Sequence, residues 1–358
     1  MLIRPELVNG GDVDVYLADE GVVGLMGKHI LEGRELPVFF YGQHYLGALE
    51  AYCAALSFAV FGTGLASLRL VPFVFSIALA VVVYRYSYRV YSVAVARWAT
   101  ALVAVSPYYF LQWNLKARGG FIEHVVLVFV VLLLFWRFYL RHERAPSVAF
   151  GLGLASGIAL WVNQLMAAYL MAMGMLLALE RSDRRGWVVM LAGGLLGASL
   201  LIGYNVVHPM VTLRSLARKS VVLNRVPVEQ RDEDWLARGV GKRVEALSQG
   251  SDKLAMVFGV PPGEDVEQVG VAPVVRRGGA LTTLRRGLWP LPLAVFGLAL
   301  VACRPRKGKG GWEKPGSDQI LALFSLMTFL VGYVSPRYML PAYPLASVMA
   351  GVLVSRMV

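Results

Sequence analysis

Charge is what this sequence has little of. Of its 358 residues only 16% are Asp, Glu, Lys or Arg, while 57% are hydrophobic. A soluble domain carries roughly a quarter charged residues, so a water-solvated globule is excluded and lipid is the main solvent. Cysteine is scarce too. Cys53 and Cys303 lie in or beside apolar segments, where they read as small packing residues that imply neither a metal site nor a redox compartment. Residues 1–45 hold no basic stretch followed by an apolar core, so no signal peptide is visible, and no spanning segment precedes the acidic stretch "DVDVYLADEG".

Apolar runs are what the chain has in abundance. "SLRLVPFVFSIALAVVVY", "FIEHVVLVFVVLLLFWRFYL" and "WVVMLAGGLLGASLLIGY" approach or reach the roughly 20 residues that cross a bilayer core. Spanning or near-spanning segments are expected at 46–62, 67–84, 91–111, 121–140, 147–163, 164–180, 187–205, 286–303, 318–335 and 338–355. No soluble core has room for about ten such segments, so the fold class is an all-α polytopic membrane protein. Residues 163–164, "NQ", interrupt one long apolar stretch and read as a tight hairpin or half-span.

The only extended polar region is 206–285, which reads as a water-facing domain. Within it, 236–258 has the apolar spacing of an amphipathic helix, and "PPGEDVEQVG" and "VRRGGALTTLRRG" read as loops. The expected organisation is therefore an external loop at 1–45, a membrane module at 46–205, an external polar domain at 206–285 and C-terminal membrane helices at 286–358.

The net charge of +12 comes from basic residues clustered between apolar runs, the bias of cytoplasmic loops rather than of nucleic-acid binding. Arg85, Arg89 and Arg97, then Arg141 and Arg144, then Arg181, Arg184 and Arg185, then "RPRKGKGGWEK" at 304–314, all fall on one side if every intervening segment spans. That side is cytoplasmic, and the 112–120 loop, the 206–285 domain and "SPRYMLP" face outward. Strict alternation would then leave 1–45 in the cytoplasm. Either 46–62, which is short and carries Glu50, does not cross fully, or another segment is misassigned.

Four stretches together carry a family likeness. They are "DVYLADEGVVGLMGKHILEGRELPVFFYGQHYLGALEAYCAALSFAVFG", "LASLRLVPFVFSIALAVVVY", "SPYYFLQWNLKARGGFIEH" and "SPRYMLPAYPLASVMAG". The chain resembles the GT-C superfamily of membrane glycosyltransferases, nearest the protein-mannosyltransferase and aminoarabinose-transferase-like branch. The resemblance implies transfer of a sugar from a polyprenyl-phosphate carrier to a lipid, protein or glycan hydroxyl outside the cytoplasm. It also places a catalytic acid in the first external loop, where Asp19-Glu20 occupies the position of the family's acidic pair. That loop normally follows a first transmembrane helix, which is lacking ahead of the pair here. Some relatives bind a divalent cation and others do not.

Such a reaction needs a carboxylate to take the acceptor's proton and cations to stabilise the departing phosphate. Asp19 is the expected general base, with Glu20 orienting the acceptor or supporting a metal. The competing reading is that both acids merely favour the first turn of a helix. Asp12 and Asp14 read as a solvated turn.

Tyr41, Gln43, His44 and Tyr45 suit stacking on a sugar and equally suit anchoring at the membrane interface. His44 with Glu50 is a weak metal pair. Lys116, Arg118 and Glu123, and Arg337 with Tyr338, are substrate-binding candidates, because outward cations have no topogenic role. Gly119-Gly120 would let backbone approach a ligand; the alternative for the cations is snorkelling at a helix end. Arg69 reads as structural. Two other functions compete: a transporter or flippase of lipid-linked sugars, for which no internal repeat is evident, and an inactive lipid-binding scaffold.

Overall fold

The computed structural model describes residues 17–179, 184–220, 266–269, 272–275, 316–332 and 340–357. The expected amphipathic helix at 236–258, the span at 286–303, the basic run at 304–314, Asp12, Asp14, Arg337 and Tyr338 lie outside the described residues.

Thirteen α-helices are described: α1 Leu17–Leu31, α2 Leu49–Phe61, α3 Leu65–Val90, α4 Val93–Ala104, α5 Tyr108–Leu115, α6 Phe121–Phe135, α7 Pro146–Val162, α8 Met166–Leu179, α9 Arg184–Gly197, α10 Ser199–Val207, α11 Val211–Ser220, α12 Ser317–Gly332 and α13 Ala342–Met357. Helix α6 continues through a π-helical turn, Trp136–Leu140. Two short hairpins are also described. In the first, β1 (Phe39–Phe40) pairs antiparallel with β2 (Gln43–Gly47). In the second, β3 (Val266–Val269) pairs antiparallel with β4 (Ala272–Val275). The second hairpin replaces part of what the sequence presents as loop: with Val266 opposite Val275, the chain gains ladder hydrogen bonds that a local reading of polar residues does not reveal.

Among the described residues, two helices are long and apolar enough to cross a membrane, Leu65–Val90 and Phe121–Leu140. A third crossing is made if Arg185–Gly197 and Ser199–Val207, bent by 63°, count as one. The expected span at 91–111 is broken: α4 ends at Ala104 and α5 starts after Pro107, whose ring disfavours helix at the preceding residue. Large side chains along α3, α8 and α9, including Phe73, Ile77, Met171, Met175, Val188 and Leu191, are exposed. A patch this extensive belongs against lipid tails, and the chain is built as an integral membrane protein.

Helix α6 is the axis of the core. Val125, Val128, Phe129, Val131, Leu132 and Phe135 are fully buried, and α3 and α7 pack against it. Among the described residues, the tightest seam joins α7 to α9. Built onto Gly153, a Cβ would come within 1.8 Å of the Met190 carbonyl oxygen; onto Gly157, within 2.3 Å of the Gly194 oxygen. From the other side, Cβ atoms on Gly193 and Gly197 would each come within 2.3 Å of a carbonyl of α7. Small residues four apart on both helices thus let the two backbones touch, the usual means of helix cohesion where lipid removes the hydrophobic drive between helices.

Candidate active site

Three interruptions of regular structure meet on one side of α6's first turn: the β1–β2 hairpin, the 116–120 loop between α5 and α6, and the break after Val162 between α7 and α8. The hairpin is stitched to the end of α7. Leu46 forms an isolated antiparallel bridge with Asn163, Trp161 Nε1 donates to the Val38 carbonyl at 2.9 Å, and Gly47 has no room for a Cβ, which would lie 2.7 Å from the Trp161 oxygen. Asn163 Oδ1 accepts from the Leu165 amide at 3.1 Å, which turns the chain into α8. The "NQ" interruption is therefore a tight turn.

The 116–120 loop is held by a side chain from α2. Gly119 and Gly120 both adopt left-handed backbone, φ 80° and 84°, which L side chains rarely tolerate. Their consecutive N–H groups donate to Oε2 of Glu50, the Gly120 bond at 3.2 Å. A Cβ on Gly119 would also strike the Phe40 ring at 2.8 Å. The backbone amides that the sequence offers to an outside anion are thus occupied by the chain's own carboxylate, set at the positive N-terminal end of α6.

Around this clamp lies a buried polar cluster in an otherwise apolar core: Glu20, Glu50, Asn114, Arg118, Glu123 and His124. Glu20 acts electrostatically on Glu50 and Glu50 on Glu123, so the three carboxylates share one neighbourhood. Arg118 stacks its guanidinium over the Trp113 ring, 4.2 Å from the centroid. Glu123 sits in the first turn of α6 with neither carboxylate oxygen hydrogen-bonded among the described residues, and the same holds for both ring nitrogens of His124. Leaving such groups unsatisfied in a core is costly, and they accumulate at sites that bind something. The His124 ring faces Tyr169 on α8, whose hydroxyl bonds to Thr328 on α12 at 2.6 Å.

The acidic pair opens α1, where negative charge favours the first turn. Glu20 is 2% exposed, and both its oxygens receive Arg69, from Nε at 2.9 Å and from Nη2 at 2.9 Å. This fork ties α1 to the start of α3. Asp19, its neighbour, is half-buried and has partners of its own.

The hairpin candidates are engaged within the hairpin and its surroundings. Tyr41 OH meets His29 Nδ1 at 2.9 Å, Tyr45 OH donates to Gln43 Oε1, and the His44 ring lies 5.9 Å from that of Tyr204 on α10. Lys116 is half-buried where α5 ends. Among the described residues no group of three or more His, Cys, Asp or Glu is placed to hold a metal ion. His44 and Glu50 belong to no such group.

The structure therefore gathers Glu20, Glu50, Arg118 and Glu123 into one buried region. It adds Arg69, His124 and Asn163, which the sequence reading passed over or left as structural. His124 carried a usable signal, since an ionisable residue inside a 20-residue apolar run is a site candidate by default.

No family model matches the chain, and no curated relative matches its sequence. Solved structures do match its fold. ArnT from Cupriavidus metallidurans in the apo state superposes with a TM-score of 0.54 at 13% identity, over 94% of this chain and 55% of that one; ArnT has also been solved bound to undecaprenyl phosphate. The oligosaccharyltransferase AglB from Archaeoglobus fulgidus, in complex with an inhibitory peptide and a dolichol-phosphate, gives 0.54 at 14% identity, over 95% of this chain and 46% of that one. An oligosaccharyltransferase from Archaeoglobus fulgidus in complex with Zn and sulfate gives 0.56 at 15% identity, over 95% of this chain and 45% of that one. The chain spans about half the length of these structures. The chain shares its fold with these ArnT and oligosaccharyltransferase structures.

Proposed function

We propose that this chain is a membrane glycosyltransferase that moves a hexosyl or pentosyl group from a polyprenyl-phosphate carrier to a hydroxyl acceptor, on the extracytoplasmic face of a bundle of about ten membrane helices. The observation that carries this reading is the placement of the acidic pair. Asp19 lies in the first turn of a helix tied to α3 by the part-buried Glu20–Arg69 fork, and Glu20 shares a charge neighbourhood with Glu50 and, through it, with Glu123. The GT-C fold supports it.

In this reading the acceptor oxygen attacks the anomeric carbon as Asp19 takes its proton. The bond from that carbon to the phosphate oxygen breaks on the opposite face, its electron pair leaves with the lipid phosphate, and configuration inverts. Lys116, Arg118 and Arg337 stabilise the departing phosphate in a water-poor setting. Glu20, forked to Arg69, fixes the first turn of α1 that carries Asp19 and orients the acceptor. Tyr41, Gln43, His44 and Tyr45 line the approach, and Glu123 faces the sugar.

The test is transfer by the purified full chain in detergent, with labelled polyprenyl-phosphate sugar as donor and membrane extract as acceptor. Asp19→Asn is expected to lower the rate by about 10²–10⁴-fold, the usual contribution of a general base, with an unchanged melting temperature. Unimpaired transfer by that variant removes Asp19 from the mechanism. Donor binding without transfer by the native chain favours the lipid-binding scaffold instead.

A further inference from the structure

Helix α6 begins in the polar cluster and ends, 20 residues later, at a second charged place. At about 1.5 Å per residue the two ends stand roughly 30 Å apart, one hydrocarbon thickness. Helix α3 has the same polarity: Arg69 near its start holds Glu20, and Arg85 and Arg89 lie near its end. Between the far ends of these two helices is a half-open cavity of about 500 Å³. Arg85, Arg89, Arg137 and Arg141 line it, with one carboxylate, Glu143.

The cations are set there by the backbone. In a continuous α-helix, residue 141 would point about 140° away from residue 136. The π turn Trp136–Leu140 closes instead with the Arg141 amide on the Trp136 carbonyl at 3.1 Å, and Arg141 comes to lie over the Trp136 ring, 5.6 Å from its centroid. Glu143 forks onto Arg137, Nε to Oε2 at 2.8 Å and Nη2 to Oε1 at 2.5 Å, and so offsets one of the four charges. The remaining wall is apolar, with Val82 from α3 and Val130, Leu133 and Leu134 from α6. A free anion has no use for such a wall; an acyl chain does.

We infer that this cavity seats the phosphate headgroup of an anionic phospholipid in the leaflet opposite the acidic pair, its acyl chain lying along Val82, Val130 and Leu133. This is the face that the basic-loop bias makes cytoplasmic, the side whose anionic lipids attract arginine. The site is separate from the proposed sugar transfer and does not depend on it.

Native mass spectrometry of the full chain in detergent tests it, with phosphatidylglycerol, phosphatidylcholine and inorganic phosphate as separate probes. Phosphatidylglycerol is expected to be retained and phosphatidylcholine not, with millimolar phosphate leaving retention unchanged. Each of Arg85→Gln, Arg89→Gln and Arg141→Gln is expected to weaken retention about fivefold, the effect of roughly one charge at an anionic surface. Glu143→Gln removes the offsetting charge and is expected to strengthen retention, a gain that misfolding cannot produce. Equal retention of both lipids, retention undiminished in the triple arginine variant, or displacement of lipid by inorganic phosphate would overturn the assignment.

Discussion

The α7–α9 seam and the polar cluster at the start of α6 are both assembled from glycines in close approach, and they use them for opposite ends. In the seam, Gly153, Gly157, Gly193 and Gly197 bring backbone against backbone with no polar side chain between them. In the cluster, Gly119 and Gly120 expose consecutive amides, and a carboxylate from another helix enters to meet them. The first arrangement is complete in itself. The second leaves polar atoms over, on Glu123, on His124 and on Oε1 of Glu50, none hydrogen-bonded among the described residues. Cohesion inside a bilayer calls for closure, whereas binding calls for groups held ready and unsatisfied.

The largest effect that can break this contrast lies in the seam. Gly153→Ala puts a methyl 1.8 Å from a carbonyl that cannot retreat without parting two helices, while Gly151→Ala on the same helix meets nothing within 4 Å. Gly153→Ala is expected to cost about 3 kcal/mol or more and to shift the protein toward aggregate on size-exclusion chromatography. Gly151→Ala is expected to gain slightly from helix propensity. Equal behaviour of the two variants would mean that the helices are not in backbone contact.

A smaller effect belongs to the clamp. Glu50→Ala strands the Gly119 and Gly120 amides in the interior and is expected to cost about 2–3 kcal/mol, the scale of buried donors left unmade. Hydrogen exchange should accelerate at those two amides first. Glu50→Gln keeps an acceptor oxygen and is expected to slow exchange back toward the native rate; no difference between the variants would show that the clamp is not what orders the loop.

The smallest effect is at the exposed rim, where the Arg137 fork holds the Glu143 carboxyl below its ordinary value of 4.5. A depressed folded pKa stabilises above the unfolded value and is lost as pH falls through the folded one. In neutral detergent, any melting-temperature advantage of the native chain over Glu143→Gln at pH 6 is expected to shrink progressively as pH falls below the carboxyl's ordinary value of 4.5. An advantage that stays the same at every pH would show that the pair owes nothing to ionisation.

Much of the frame could be read from the residues, and the reasons for the exceptions are physical. The expected span at 121–140 has the bounds Phe121–Leu140, because the unbroken apolar run from Val125 to Trp136, set between Gly120 and Arg141, leaves one solution. The expected 67–84 lies inside Leu65–Val90. The break in 91–111 was written locally, in Ser106-Pro107. The bend at Ala198 was not: no proline lies there, and the glycines beside it answer to α7, which is distant in sequence.

The site divides the same way. The acidic pair, Arg118 and Glu123 were legible as charges in poor solvent. The pairing of Glu20 with Arg69 spans 49 residues and is decided by packing alone. Gly119-Gly120 was legible as a place for close approach, but nothing local says that the visitor comes from α2.

The glycine seam also predicts how this chain tolerates change over many generations. Along α9, Gly193 and Gly197 face a neighbour with no spare volume, while Leu191, Leu195 and Leu196 point outward. One turn of helix therefore holds positions where a single methyl is lethal beside positions where any oily residue serves. A saturation library of that helix would show two alternating bands of tolerance, repeating every four residues.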